Sequence, residues 1–297
     1  MSFDLWFATR SGSNRPAPHD LRAWFARRKH YAPEDISETQ ALYQNLATGV
    51  YFIIEFGEVF DPADAPDTER PIDAVLLLNY LRPKFFAREC AEELQVFLNE
   101  FSLEVCDPQE EETDFGAFDT DRFVQSFAKY SRWAVKSMRL NHGFEPKPMV
   151  SERLDAMWRW NFSKERLEAK TEDDVFVPTI LIFETEGVLS TGIVWSDGIP
   201  TVIPPCDSIY LHWDELASKK LLGANVGKKK SDQLYDRSAF DAIFNRFYER
   251  RSDDCLWPLS FVRPVDLERA LRDFNEVGDA PKMLAADAVI DSEFVGS

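Results

Sequence analysis

The chain has 297 residues, 44% of them hydrophobic and 13% aromatic, with 24 Phe and 8 Trp. That core material excludes a largely disordered polypeptide, and the length suits two domains. Against 34 Lys+Arg stand 52 Asp+Glu, a formal net charge of -18, so the long-range field repels phosphate backbones and anionic lipids and argues against nucleic-acid or membrane partners. The same field speeds encounter with a basic protein, although acidity is also a common solubility device.

Met1-Ser-Phe-Asp-Leu-Trp has no basic segment followed by an apolar one, and no apolar run is long enough to span a bilayer. Cys90, Cys106, Cys206 and Cys255 are scattered, with no CxxC pair for zinc or redox work. The expectation is a cytoplasmic protein with reduced, structural thiols, no metal and no cofactor.

Phe3 to Ala8 reads as an aromatic strand, stopped by the Gly/Ser/Pro/Asn stretch Ser11 to Pro18. His19-Asp20 opens a helix with Leu21, Trp24 and Phe25 on one stripe. Pro33 can start a second helix, with Ile36, Leu42, Tyr43 and Leu46 as its apolar face and Gly49 as its stop. Val50 to Phe56 is a continuous apolar run suited to a central buried strand. Asp61 to Pro71, with three prolines and several acids, is a surface loop, and Ala74 to Leu81 is the next strand. Phe86, Cys90, Leu94, Phe97, Leu98 and Phe101 recur at helical spacing, and Leu103 to Cys106 closes the region as a strand. Strand, helix, strand, strand, helix, strand is the split βαβ order, so residues 1–109 are expected to form a ferredoxin-like sandwich, although another α+β packing would give the same string.

Residues 110–120 form an acidic connector; Glu110, Glu111, Glu112, Asp114, Asp119 and Asp121 lie in or beside it. Such a run reads either as a solvated linker or as a docking patch for a basic partner. Asp114-Phe115-Gly116 matches a kinase tripeptide without the accompanying catalytic-loop and lysine signatures, and the spacing does not make an EF-hand.

A second α+β domain is expected over 121–297. Thr120 or Asp121 caps a helix running to about Leu140, ended by Asn141-His142-Gly143. Met157 to Phe162 is the densest aromatic cluster; Trp158 and Trp160 in it are either core or a contact patch for a partner. Val175 to Phe183, Val188 to Trp195, Ile199 to Ile203 and Ile209 to Trp213 read as an antiparallel meander, with Asp197-Gly198 as a hairpin signal. Helices over Ser238 to Arg250 and Val265 to Phe274 are expected to cover it, with a strand at Leu259 to Val262 and an extended or loosely docked tail from Asp279.

Chemistry-bearing patterns are sparse. Gly223 to Lys229 has one residue too few between its glycines for a P-loop, and Lys229 stands where the hydroxyl belongs, so it reads as a basic loop. His19, His30, His142 and His212 are dispersed; His212, near Asp207 and Asp214, gives the best alternative polar site.

Leu77-Leu-Asn-Tyr-Leu-Arg-Pro-Lys-Phe-Phe-Ala-Arg-Glu89, followed by Leu103-Glu-Val-Cys-Asp-Pro-Gln109, resembles uncharacterised bacterial proteins grouped with polymorphic-toxin immunity proteins. The resemblance covers about a third of the chain and carries no site residues. It implies a cytoplasmic protein that neutralises a toxin by tight binding, and the acidity suits a basic toxin domain. The expected function is thus an acidic protein-binding module. The alternative is a hydrolase or transferase with its site between the two α+β units.

Overall fold

The computed structural model describes residues 2–57, 70–110, 114–172, 174–196, 198–212, 233–251, 255–271 and 281–296. The protein is of the α+β class. It folds as two compact units, Met1–Ser151 together with Ala286–Ser297, and Glu152–Ala285.

The first unit runs β1 (Ser2–Thr9), α1 (Pro18–Phe25), β2 (Gln40–Asn45), β3 (Val50–Phe56), β4 (Ala74–Asn79), α2 (Lys84–Phe101), β5 (Leu103–Cys106), α3 (Thr120–His142) and β6 (Pro148–Met149). Its main sheet has the order β2-β3-β4-β1-β5, with every pair antiparallel. Without β2 the remaining order is that of the split βαβ sandwich, with β1 between β4 and β5. Side chains alternate across β1. Phe3 and Phe7 are fully buried, with ring centroids 5.8 Å from Phe127 of α3 and 6.1 Å from Phe97 of α2. Trp6 clusters instead with Val75 and Cys106, and Phe115 packs against that group.

Two expectations change in this unit. The second helix expected after Pro33 is a single 3-10 turn, Pro33–Asp35, and the apolar residues beyond it form β2. Ala41, Tyr43 and Asn45 alternate inward at a period of two, which leaves Leu46 86% exposed. The compact units part after α3, beyond the acidic connector, because Phe123 and Phe127 anchor that helix on Phe3.

The second unit contains α4 (Ser151–Glu168), whose first residue still belongs to the first unit, followed by β7 (Leu181–Thr185), β8 (Val188–Ser196) and β9 (Ser208–His212). Then come β10 (Gln233–Asp236), α5 (Asp241–Phe247), β11 (Tyr248–Arg250), β12 (Leu256–Pro258), α6 (Pro264–Ala270) and β13 (Lys282–Leu284). Five strands make a sheet in the order β10-β9-β8-β7-β13. The meander expectation fails at one step, because β8 and β9 pair in parallel. After β8 the chain leaves the sheet: Phe176 bridges Thr201, and Ile203 bridges Leu256. Residues 199–203 are therefore a crossover, which a parallel pair requires. Gly198, at φ +70, makes the approach possible, since a Cβ there would lie 2.6 Å from the Glu268 backbone nitrogen in α6. The expected helix over Ser238 to Arg250 ends at Phe247, and pairing with β11 falls on β12, not on Leu259 to Val262.

Of the two expectations for the tail, the described residues 281–296 meet extension, in two short strands, and not loose docking. Lys282–Leu284 pairs with β7, and beyond it the chain returns to the first unit, where β14 (Ile290–Asp291) pairs in parallel with β6. Val289, Ile290 and Phe294 are buried, the last two in a cluster with Ala128 and Val135 of α3.

Candidate functional site

Several buried polar groups of the first unit are engaged within the chain. Glu89 on α2 accepts from Tyr43 Oη at 2.9 Å, Asn45 Nδ2 at 2.7 Å and Thr48 Oγ1 at 3.1 Å. Glu93, one turn on, accepts both prongs of the Arg28 guanidinium, at 3.1 and 2.6 Å. Burial, reinforced by Glu93, pushes the Tyr31 phenol and the Cys90 thiol between them well above their ordinary values. Asp73 holds the β1 to α1 loop by accepting from the Thr9 backbone, the Thr9 hydroxyl and Arg15. These groups fasten helices and loops to the sheet, as buried polar groups must when they lack water.

The described residues of the acidic connector are fastened too. Gly116 exchanges both backbone hydrogen bonds with Val105 of β5, at 2.8 and 2.9 Å. Phe115 lies in the Trp6, Val75 and Cys106 cluster, with the Arg70 guanidinium 4.6 Å above its ring. Arg70 is itself fixed by Glu104 at 2.8 Å and the Thr9 carbonyl at 2.6 Å. Upstream, Asp107 accepts from Ser126 Oγ at 2.7 Å and from the Gln109 backbone at 3.0 Å, and burial raises its pKa despite those bonds. Tyr130 donates to the Gln109 carbonyl.

The individual acids then separate by role. Glu110 accepts from Lys129 Nζ at 3.1 Å and Ser126 Oγ at 3.3 Å, so its charge is partly compensated. Asp119 accepts from the Arg122 backbone at 2.9 Å and is the N-cap of α3, in place of the Thr120 or Asp121 expected from sequence. Asp114, Asp119 and Asp121 are exposed. Glu111 and Glu112 lie outside the described residues.

Trp158 and Trp160 are each 7% exposed, and the Trp160 indole donates to the Pro178 carbonyl at 2.7 Å. They belong to the core of the second unit and have almost no surface to offer a partner. Of the alternative polar site, the two described members, Asp207 and His212, are not brought together. Asp207 accepts from the Thr191 backbone and hydroxyl at 2.9 and 3.0 Å and pairs with Arg153 at 3.2 Å. Asp207 precedes the first residue of β9 and His212 is its exposed last residue, so about 16 Å of strand separates them. Asp214 and the basic loop from Gly223 lie outside the described residues.

Two concavities were not anticipated from sequence. An open groove of about 630 Å³ follows the β1 to α1 loop, lined among others by Ser13, Asn14, Arg15, Asp20, Arg27 and Glu100. Its charges are mixed, and Arg15 is already committed to Asp73. A recess of about 100 Å³ in the second unit, beside Glu172, Arg251 and Trp257, is small for an organic substrate. No group of His, Cys, Asp and Glu among the described residues has metal-holding geometry, and no helix among them is long and apolar enough to cross a membrane. No protein-family model, curated protein or solved structure matches this chain.

Proposed function

We propose that this protein is a binding module that presents the strip from Asp107 to Asp121 to a basic protein partner. The observation that carries this reading is the fastening of the described parts of the strip, 107–110 and 114–121. Its backbone is bonded to β5, Phe115 is packed and clamped by Arg70, and Asp119 caps a helix, while Asp114, Asp119 and Asp121 remain exposed. A surface ordered before binding loses less conformational entropy when it binds. The net charge of -18 adds long-range attraction for a cationic partner, which acts mainly on the association rate.

An immunity-type role, neutralising a basic toxin domain, is the form of this proposal that fits the sequence resemblance. The residues behind that resemblance include Leu78, Tyr80, Phe85, Phe86, Leu103 and Cys106, all buried. They speak for a shared fold, and the contact residues must come from the strip. The test is co-expression with the protein encoded immediately upstream, followed by association kinetics against salt. The D114N/D121N double variant should fold normally, associate about tenfold more slowly at low salt, and show a flatter salt response. No complex with that neighbour removes the immunity reading; an unchanged salt response removes the strip as its contact surface.

A further inference from the structure

A second surface has the opposite character. Within an acidic chain, α3 carries five cations, Arg122, Lys129, Arg132, Lys136 and Arg139, and one acid, Asp121. All five cations are exposed, and their spacing of seven, three, four and three residues lines them along the helix face opposite the buried Phe123, Phe127, Ala134 and Val135. The stripe is about 27 Å long from Arg122 to Leu140. Some of the charge is balanced locally: Lys129 lies 3.1 Å from Glu110 and Arg132 3.5 Å from Glu293. Arg139 donates to the Val295 carbonyl at 2.8 Å and, among the described residues, meets no carboxylate, beside the exposed Lys136.

Two large apolar side chains stand on this same face. Trp133 is 61% exposed and Leu140 is 75% exposed. Seven residues apart, they sit two turns and about 10 Å from one another, with Lys136 between them. A solvated basic face explains the lysine and the arginines but not a tryptophan and a leucine in register with them. Apolar anchors at i and i+7 inside a charged stripe are how an amphipathic helix engages a partner.

From this we propose that the α3 face is a docking surface for an acidic protein segment that places apolar side chains over Trp133 and Leu140 and carboxylates against Lys136 and Arg139. Charge decides the class of occupant. Nucleic acid and anionic membranes extend far beyond the stripe and meet the repulsion of a chain at -18, whereas a short acidic segment meets chiefly the local cations within a Debye length. This inference does not rest on the acidic strip, and its variants leave Asp114 and Asp121 untouched.

The test uses the full chain and a fluorescent synthetic peptide of about five helical turns, rich in Glu, with two Leu seven residues apart, beside a scrambled peptide of the same composition. Saturable binding of the first peptide is expected, weakened at least about tenfold by W133A and by K136E/R139E, and retained by W133F. Trp133, Lys136 and Arg139 are exposed, so unchanged circular dichroism and melting temperature should accompany each loss. Absence of binding up to about 1 mM peptide, equal binding of the scrambled peptide, or equal affinity of the variants overturns the proposal. So does a Trp133-dependent preference for phosphatidylserine vesicles or duplex DNA over the peptide. Concentration-dependent dimerisation abolished by W133A would reassign the face to a second copy of the chain.

Discussion

Removing the Glu89 carboxylate strands three donors at once, because Tyr43, Asn45 and Thr48 all direct their hydrogen bonds to the same oxygen in a site that is 1% exposed. E89A should therefore cost about 3 kcal/mol or more of stability by urea unfolding, and E89Q, which keeps an acceptor there, clearly less. Asp291 supports a different test. Its side chain accepts from the Lys84 backbone at 2.6 Å, capping α2 from the far end of the chain where Pro83 has no side chain able to do so. Burial pushes its pKa up, against the pull of that bond, of Ser151 and of the Lys84 charge. An acid with a raised folded-state pKa binds its proton more tightly when folded, so its ionisation erodes stability as pH climbs from the ordinary Asp range, about 4, through the raised value. The stability of the native protein relative to D291N should accordingly fall across that window, as read from urea midpoints at successive pH values. D291A, which removes the cap, should cost about 1–2 kcal/mol at neutral pH.

Among elements, those with one dominant period were legible from residues alone. The bounds of β3 coincide with its apolar run, and Gly143, at φ +63, stops α3 where the Asn-His-Gly signal placed the stop. Legibility failed where short-range pattern was ambiguous or where the partner was distant. Leu42, Tyr43 and Leu46 fit a helix stripe as readily as a strand, and the inward-facing polar Asn45 is explained only by Glu89, which lies on another element. The β8 to β9 crossover looked like a hairpin because Asp-Gly is a local signal, while the bridges to Phe176 and Leu256 are not local. The candidate acids were found by composition, but their division into pinned and exposed members depended on Lys129, Ser126 and Val105. The exposed stripe on α3 was within reach, since Trp133 and Leu140 fall outside the periodicity of its buried face. At the parallel step, Gly192 faces Ser208, and a Cβ there would lie 2.6 Å from the Ser208 carbonyl oxygen and 2.8 Å from the Phe183 ring. G192A should cost about 2 kcal/mol by forcing β8 and β9 apart, with the loss visible in a lowered melting temperature.

At the scale of the whole molecule, the first unit is discontinuous and the second is an insertion within it. Residues 286–296 supply the first unit with a strand partner for β6, the cap of α2, the buried Val289, Ile290 and Phe294, and the Glu293 carboxylate. Glu293 is partly buried, yet Lys84 and Arg132 outweigh that burial and hold its pKa below the ordinary value. A chain ending at residue 285 should lose about 4 kcal/mol or more of stability in the first unit, with hydrogen exchange accelerating first in the opening turn of α2.

That return of the tail has a consequence for synthesis. Residues 1–151 leave the ribosome before Glu152–Ala285, and both leave it before the segment that completes the sandwich. Vectorial folding can therefore close the inserted unit first, while the earlier one waits with an uncapped helix and an open apolar cleft over Ala128 and Val135. The nascent chain spends that interval exposed to chaperones and proteases, and a premature stop anywhere in the inserted unit damages the unit already made.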